Sequence, residues 1–441
     1  MPGALLEPRL ATGQSLAPRR PWLNWRLGVC AGALLGLGLI AFVMAAGIAA
    51  DPRRAIVRGN HGAFPEALRG PLSELGISIQ PHGFMLLLGA ASLCYLLVLA
   101  LAPAVPLRVA VVAVVAAHLI MLLAPPLLSS DVFNYVAYAR LEVVHHLNPY
   151  QHALAAAPTD PSFPFIGWKI RTTAYGPLFT LGTLPLALLP FTASLWAIKA
   201  VTALASLGCV ALVAACARRL GRAEVPAILF FGLNPILLFY AVGGAHNDVL
   251  MLLPMMLGVY LVIAGASSGP AAGVVAAAVK LSAAVVAPFA LLGSRRRGPA
   301  TVWTLASLAV TLGVGLAAFG LHLFSVLGIL RHESHTGSRD VPQTLAKAVG
   351  VHLPAATMSQ IGFTVFAAVI AYLLVRVWRG ADWLAAAGWA TLALLATTTY
   401  LLPWYVIWPL PLAALSSGRA QRLAALAICG LVIALRIPSF G

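Results

Sequence analysis

The chain has 441 residues, of which 61% are hydrophobic and only 9% are charged, and its mean hydropathy is +0.93. A soluble globular protein carries about 25% charged residues, so this composition excludes a cytosolic or secreted enzyme and indicates an integral membrane protein. The 28 Lys and Arg residues exceed the 12 acidic ones, but the arginines lie in short clusters between apolar segments, as cytoplasmic anchors do, so no nucleic acid partner is expected.

Apolar segments long enough to cross a hydrocarbon core of about 30 Å recur along the chain. The first, 27–50, is longer than the apolar region of a cleaved signal peptide, about 7–15 residues, and we interpret it as a spanning helix. Two segments, 177–190 and 271–293, are bounded or interrupted by prolines or by Lys280, and we interpret them as half-helices or re-entrant hairpins. The other predicted spans are 83–102, 107–128, 195–216, 225–241, 248–265, 299–320, 356–377, 382–400, 402–415 and 420–436.

The predicted fold is therefore all-α, a polytopic transmembrane helix bundle of about 11–13 spans, with a cytoplasmic tail at 1–26 and a single transmembrane domain at 27–441. The positive-inside rule orients it in the plasma membrane with the N-terminus in the cytoplasm. The loop 51–80 carries arginines on the outer side, does not fit the rule, and receives no assigned role. The clusters that fall inside are Arg218, Arg219 and Arg222; Arg295, Arg296 and Arg297; Arg376 and Arg379; and Arg419 and Arg422.

This orientation places the polar loops 129–175 and 321–355 outside. Within the first, Ser130 suits the N-cap of a helix that begins at Asp131 and that Pro149 stops. On a 3.6-residue period, acidic and aromatic side chains share one face and valines the other. We predict an interfacial amphipathic helix, its apolar face in lipid and its polar face toward a cavity. The polar face comprises Asp131, Tyr135, Tyr138, Glu142 and His145, and the apolar face Val132, Val136, Ala139 and Val143.

Asp131 is the candidate catalytic acid of this helix. In a first turn, exposed backbone N–H groups favour the carboxylate, and a carboxylate can accept a proton from an attacking hydroxyl. The alternative is that Asp131 only continues the cap, and that Tyr135 and Tyr138 are ordinary interfacial aromatics.

Two further polar signals lie next to apolar segments. In the sequence AVGGAHND, two glycines end a helix and His246, Asn247 and Asp248 begin the next. Lys280 is a lone cation within an apolar run. Ionisable groups beside or inside a bilayer are costly without partners and indicate function, although helix capping by Asn247 or Asp248, and snorkelling of Lys280 to the surface, are the alternatives.

The remaining candidates for substrate binding lie in the outer loops. Arg171 and Tyr175 belong to the sequence RTTAYGP, His332 to a His-rich loop, and Trp404 and Tyr405 to LLPWY. The two aromatics are typical of an interface belt or of a platform for a sugar. No metal site is predicted, and because no P-loop, G-x-G-x-x-G or D-x-D motif is present, neither a nucleotide sugar nor any other cofactor is expected.

Taken together, these motifs resemble the polytopic GT-C glycosyltransferases. Within them they resemble the polyprenyl-phosphomannose-dependent α-1,6-mannosyltransferases of actinobacterial lipomannan and lipoarabinomannan assembly. The resemblance runs from Ser129 to Tyr405 in an ordered set. Its carriers are SSDVFNYVAYAR, NPY at 148–150, Trp168 with RTTAYGP, GGAHND, Lys280 and LLPWY.

The resemblance implies a bundle of about a dozen helices, as GT-C folds have, with a catalytic acid near the start of a large outer loop, where Asp131 stands. It implies that Asp131 deprotonates an acceptor hydroxyl, which attacks a polyprenyl-phosphate sugar with inversion, without metal or with weak metal dependence. Arg171, Lys280 and His246 would neutralise the leaving phosphate. The implied partners are this donor, a lipid-anchored glycan acceptor and membrane lipids.

The sequence leaves the sugar and the class of function open. Many GT-C enzymes carry the catalytic loop after the first span, whereas spans 83–102 and 107–128 precede it here. Mannosyl, glucosyl and arabinosyl members share this layout, so the choice of mannose rests on the resemblance. The alternative function is a secondary transporter or flippase for a lipid-linked sugar, although no internal repeat is visible. A non-catalytic scaffold would leave Asp131, His246 and Asp248 without purpose.

Overall fold

A computed structural model describes residues 21–50, 66–335 and 340–436. Within these ranges all regular elements are helical. The α-helices are α1 Pro21–Ala50, α2 Pro81–Leu101, α3 Leu107–Leu123, α4 Asp131–Val143, α5 Pro177–Thr183, α6 Phe191–Arg219, α7 Glu224–Gly232, α8 Asn247–Ile263, α9 Gly269–Val279, α10 Ala287–Gly293, α11 Arg297–Phe319, α12 Ser325–His335, α13 Val341–Ala348, α14 Ala355–Trp378, α15 Trp383–Thr397, α16 Leu410–Ala414 and α17 Arg419–Arg436.

Several of these helices are long and apolar enough to cross a bilayer. Five spans in the described ranges meet that condition, and six do so if α7 and the following π-helical turn, bent by 49°, count as one. Six shorter apolar helices of 10–17 residues accompany them. The predicted all-α, polytopic architecture is thereby confirmed, whereas the orientation, the division into tail and domain, and the number of 11–13 spans stay predictions. The tail to Arg20 and the arginines at 53–58 lie outside the described residues.

The two segments with ambiguous patterns differ in structure, because only 271–293 is broken by an extended residue. Segment 271–293 divides at Lys280, whose φ of −151° and ψ of 122° are extended, so α9 ends there and a 3₁₀ turn, Leu281–Val285, leads into α10. Segment 177–190 divides into α5 and the 3₁₀ turn Leu184–Leu188. The extended backbone at Lys280 ends the regular helical hydrogen bonding there, which a continuous helix would not do.

The prediction of a spanning helix at 402–415 is wrong. The segment instead forms a 3₁₀ turn, Pro403–Ile407, and the five-residue helix α16. Pro403, Pro409 and Pro411 each lack the N–H that a continuous helix needs. Most of the segment is buried inside the bundle, so its hydrophobicity reflects a protein core and not contact with lipid.

The predicted environment of α4 is also wrong in part. The helix begins at Asp131 as expected, but it ends at Val143, well before Pro149, and His146 has a positive φ of 54°. Val132 and Val136 are fully buried. The reason is that the chain after α4 folds back over the helix and packs aromatic rings such as Phe165 against it, so its apolar face contacts protein instead of lipid.

Close packing of α8 against α9 brings two charges to one end of the bundle. A Cβ on Gly258 would lie 2.7 Å from the carbonyl oxygen of Gly269, so the helices approach to backbone contact. Because they run antiparallel as a hairpin, the start of α8 and the end of α9 meet. Asp248 and Lys280 occupy those two positions.

Candidate functional site

A cavity of about 330 Å³ lies where α4, the break after α9, the end of α12 and the Pro403–Ile407 turn converge. Its wall is formed mostly by aromatic and aliphatic side chains, with one lysine and two acids. The lining residues that concern the chemistry are Asp131, Trp168, Tyr175, Lys280, Glu333, Trp404, Tyr405 and Trp408. The cavity therefore combines the flat apolar faces that suit a sugar ring with charged groups.

Asp131 stands at the first turn of α4 and is 8% exposed. Its backbone N–H donates to Ser129 Oγ at 3.1 Å, whereas the Ser130 side chain makes no capping bond. Burial raises the pKa of the Asp131 carboxyl to about 7, an effect that nearby Lys280 opposes and that Asp248 and Glu333 reinforce. Burial therefore outweighs the favourable helix N-terminus on which the sequence-based expectation rested.

An ion pair anchors Lys280 beside this acid. Its Nζ donates to both carboxylate oxygens of Asp248 at 2.8 Å, and Trp408 Nε1 donates to Asp248 Oδ1 at 2.6 Å. Lys280 Nζ also lies 4.5 Å from the ring centroid of Tyr405. Because Asp248 is fully buried and does not line the cavity, its carboxylate fixes the lysine and does not meet a substrate directly.

Tyr135 and Asn247 form a layer beneath the cavity. The Tyr135 hydroxyl lies 3.5 Å from Asn247 Oδ1 and accepts a bond from the Asn247 backbone N–H at 3.3 Å. The Tyr135 ring also packs edge-on against Tyr175. Both Tyr135 and Asn247 are buried and neither lines the cavity, so their contacts connect α4 to the start of α8.

Arg171 and Tyr138 belong to the outer rim. Arg171 pairs with Glu333 across 3.8 Å, and the Tyr138 hydroxyl donates to the Arg171 carbonyl at 2.9 Å. Glu333 lines the cavity whereas Arg171 does not. The pair therefore joins the loop after α4 to α12 at the edge of the cavity.

A cluster centred on Asp160 holds that loop against α4. Arg140 Nε donates to both Asp160 oxygens at 3.0 Å, and His145 Nε2 lies 2.8 Å from one of them. Ser162 donates to Asp160 through its backbone N–H and its hydroxyl. Although burial opposes it, these hydrogen bonds hold the pKa of Asp160 at about 2, below its usual value. The loop that presents Trp168 and Tyr175 is thereby fixed.

The structure thus brings together most residues singled out from the sequence. Asp131, Tyr175, Lys280, Trp404 and Tyr405 line the cavity. The residues that lie behind it or at its rim are Tyr135, Tyr138, Arg171, His246, Asn247 and Asp248. His332 is exposed on α12 and does not line the cavity.

Trp408, Glu333 and Asp160 contribute to the site or to its support and were not predicted from the sequence. Trp408 lies three positions after Tyr405, in the segment misinterpreted as a span. Glu333 adjoins His332 and is an acid in an otherwise histidine-rich stretch. Asp160 stands in a loop rich in proline and small residues and has no periodic pattern around it. The first two could have been found from their neighbours, but only the folded loop identifies Asp160.

A buried acid with a pKa near neutrality, beside a fixed ammonium, is arranged for proton abstraction next to an anion. In its ionised form Asp131 can accept a proton, and Lys280 can stabilise negative charge that develops in the same cavity. This combination suits transfer of a sugar between oxygen atoms.

The sequence matches two known protein-family models. A model described as the alpha-(1→6)-mannopyranosyltransferase N-terminal domain matches residues 26–295, more than half of the chain. A second model, the MptB C-terminal domain, matches residues 345–440. No solved structure matches.

Two curated relatives carry the same description. Alpha-(1→6)-mannopyranosyltransferase A of Mycobacterium tuberculosis is 28% identical over 354 residues, 70% of this chain and 65% of that protein. A probable alpha-(1→6)-mannopyranosyltransferase of Mycolicibacterium smegmatis is 31% identical over 153 residues, 33% of this chain and 27% of its own. The aligned parts span less than two thirds of either relative.

Proposed function

The chain belongs to the alpha-(1→6)-mannopyranosyltransferase family, and from this premise we propose that it transfers mannose from a polyprenyl-phosphate donor to a lipid-anchored glycan. The reaction takes place at the extracytoplasmic face of the plasma membrane. The observation that carries the proposal is the cavity that Asp131 and Lys280 line together between aromatic walls. It offers a base, a cation and a surface for a sugar in one cavity.

Asp131 is the general base of the proposed reaction. Its carboxylate takes the proton of the acceptor hydroxyl as the acceptor oxygen forms a bond to the anomeric carbon. The bond between that carbon and the donor phosphate breaks, and its electron pair leaves with the polyprenyl phosphate. Attack opposite the leaving group inverts the anomeric centre, so an α-linked product requires a β-linked donor.

Lys280 stabilises the departing phosphate. Its ammonium is already held by Asp248 at 2.8 Å, so it needs no reorganisation when negative charge develops. Arg171 at the rim supports the same charge once its ion pair with Glu333 opens. Since a phosphodiester leaves readily, the site needs chiefly to position the acceptor and to compensate charge.

The aromatic wall binds the sugars in this proposal. Trp168 and Tyr175 lie nearly parallel, with ring centroids 6.2 Å apart, and Trp404 stands at the same cavity. Apolar faces of pyranose rings pack on such surfaces while hydroxyls meet polar groups. The mannosyl group and the terminal acceptor residue would occupy this space.

The test is transfer of radiolabelled mannose from polyprenyl-phosphate mannose to endogenous lipoglycan in membranes. Wild-type protein is compared with Asp131→Asn at matched expression, and Glu224→Gln, at an ion pair remote from the cavity, is the control. We expect transfer by the wild type and the control and loss of at least 100-fold in Asp131→Asn. Undiminished Asp131→Asn activity would contradict the assignment of the base, and absence of transfer by the wild type would contradict the donor.

One structural observation also suits the alternative, a flippase for a lipid-linked sugar. The backbone break at Lys280 places a charge beside a discontinuous helix, as transporter sites do. The two functions separate in detergent micelles, where no second compartment exists. A transferase still forms product from purified donor and acceptor there, whereas a flippase forms none.

A further inference from the structure

His246 is a buried histidine whose ring nitrogens lack hydrogen-bond partners. The residue is fully buried, and neither Nδ1 nor Nε2 finds a partner within the part of the chain that the structure describes. A buried polar atom left unsatisfied costs about 1–3 kcal/mol. Such a group calls for an explanation, and a site of reaction is a common one.

The imidazole is held firmly in place. Its ring stacks on Trp404 with centroids 3.7 Å apart and planes 18° apart. The His246 backbone N–H donates to the Ala241 carbonyl at 2.9 Å, and its own carbonyl accepts from Val249 at 3.2 Å. The stacking therefore fixes the plane of the ring.

That orientation points one edge of the ring at the proposed base. His246 Nδ1 lies 3.7 Å from Asp131 Oδ2, about half an ångström beyond the usual hydrogen-bond range. Burial, and to a smaller extent the charge of Lys280, lowers the pKa of His246 well below its usual value, so the ring is neutral. A neutral imidazole carries one N–H, and Nδ1 is the nitrogen that faces an acceptor.

The position argues against the role expected from the sequence resemblance. His246 does not line the cavity, and Trp404, which does, covers its face. A departing phosphate in the cavity would meet Trp404 and not the imidazole. Asp131 is the ionisable group that the ring can reach by a small rotation of a side chain.

We propose that His246 is a positioning residue for Asp131, donating a hydrogen bond from Nδ1–H to Oδ2 of the ionised carboxylate. This inference rests on the proposed function, in which Asp131 is the general base. The bond leaves Oδ1 to receive the acceptor proton, and it favours the carboxylate over the neutral acid. His246 itself neither gains nor loses a proton during transfer.

Two substitutions separate the hydrogen bond from the packing. His246→Phe keeps an aromatic ring against Trp404 but has no donor. His246→Asn loses the stacking but places an amide N–H at the position of Nδ1. A hydrogen-bonding role predicts that the asparagine variant is the better enzyme, whereas a packing role predicts that the phenylalanine variant is.

The experiment measures mannosyl transfer against pH in purified wild type, His246→Phe and His246→Asn. Loss of a hydrogen bond to a charged group predicts about 10–100-fold lower kcat in His246→Phe, an unchanged donor KM, and a rising limb about one unit higher in pH. His246→Asn should recover most of the wild-type kcat and most of the wild-type pH dependence. The proposal is overturned if His246→Phe keeps the wild-type kcat and the wild-type pH dependence, or if His246→Asn loses more activity than His246→Phe.

A second readout does not depend on turnover. Infrared difference titration, with Asp131→Asn as the subtraction reference, follows the carboxyl of Asp131 directly. We expect that carboxyl to titrate about one unit higher in His246→Phe than in the wild type, and an unshifted titration contradicts the proposal. If the wild type transfers no mannose, the proposed function fails while this titration still decides whether His246 contacts Asp131.

Discussion

At the scale of single residues, Asp131 shows how burial can reverse an expectation from local structure. The first turn of a helix favours a carboxylate, yet an almost fully enclosed carboxyl loses hydration that this turn does not replace. The neighbouring acids Asp248 and Glu333 add to the effect and Lys280 opposes it. The result is an acid that changes charge near neutral pH.

This property predicts the pH dependence of the proposed reaction. Because the raised pKa of about 7 keeps Asp131 protonated in mild acid, and because a general base must be unprotonated, kcat/KM should rise as pH increases through 7. Below that value the rate should fall about tenfold per unit. Initial rates of mannosyl transfer from about pH 5 to about pH 8 measure it, and a profile that stays flat over that whole range would be incompatible with Asp131 as the base.

A second prediction at this scale concerns the ion pair of Lys280 and Asp248. Lys280→Met leaves the fully buried Asp248 carboxylate with the Trp408 N–H but without its counter-charge. Removal of one partner of a buried pair costs about 3–5 kcal/mol, so the thermal unfolding midpoint in detergent should fall.

Lys169→Met, at an exposed lysine, is the control for that experiment. The double variant Lys280→Met/Asp248→Asn should recover part of the loss, because the remaining side chain is neutral. A midpoint equal to that of the wild type in Lys280→Met would show that the pair contributes nothing to stability.

At the scale of elements, the broken helices matter more than the continuous ones. The start of α5 contacts the end of α9 through Gly176, whose N–H donates to the Val279 carbonyl at 3.1 Å. A Cβ at Gly176 would lie 2.2 Å from the carbonyl oxygen of Ala278. The backbone at the break before Lys280 is thus held by a contact that admits no side chain.

We therefore expect Gly176→Ala to lower activity at least tenfold, since the added methyl must displace the segment that carries Lys280. Gly182→Ala, within α5, is the matched control because a Cβ there meets nothing within 4 Å. Comparison of transfer rates and expression levels for the two variants checks the prediction. Equal activity of both would mean that the break tolerates displacement.

At the scale of the whole molecule, the cavity lies among the loops assigned to the outer face by the charge pattern. The exposed Gln151 belongs to the loop after α4, and the exposed Arg296 to the cluster assigned to the cytoplasm. The five native cysteines are buried, apart from the partly buried Cys94. Introduced cysteines can therefore report sidedness against a low background.

Gln151→Cys should react with a membrane-impermeant maleimide in intact cells, whereas Arg296→Cys should react only after the membrane is opened. The reason is the positive-inside rule, which assigns the arginine clusters to the cytoplasm. Mass spectrometry or gel shift of the labelled protein measures the result. The opposite labelling would invert the orientation and place the cavity inside.

Much of this molecule follows from its sequence because hydrophobicity and local motifs act over short distances. The apolar runs predict the helices, Ser130 and Asp131 mark where α4 begins, and the lone Lys280 marks a break within an apolar run. A costly charge in such a run already indicates that a partner exists. The family resemblance then associates these motifs with sugar transfer.

Only the tertiary structure decided which groups meet. Hydrophobicity is the same for a residue in lipid and in a protein core. The hydrophobic pattern therefore predicted lipid contact for segment 402–415 and for the valines of α4, which are instead largely buried in protein. The contacts of Asp248 with Trp408 and of Asp131 with His246 join residues more than 100 positions apart in the sequence. Such pairings depend on how helices cross and where the chain folds back, which no local pattern determines.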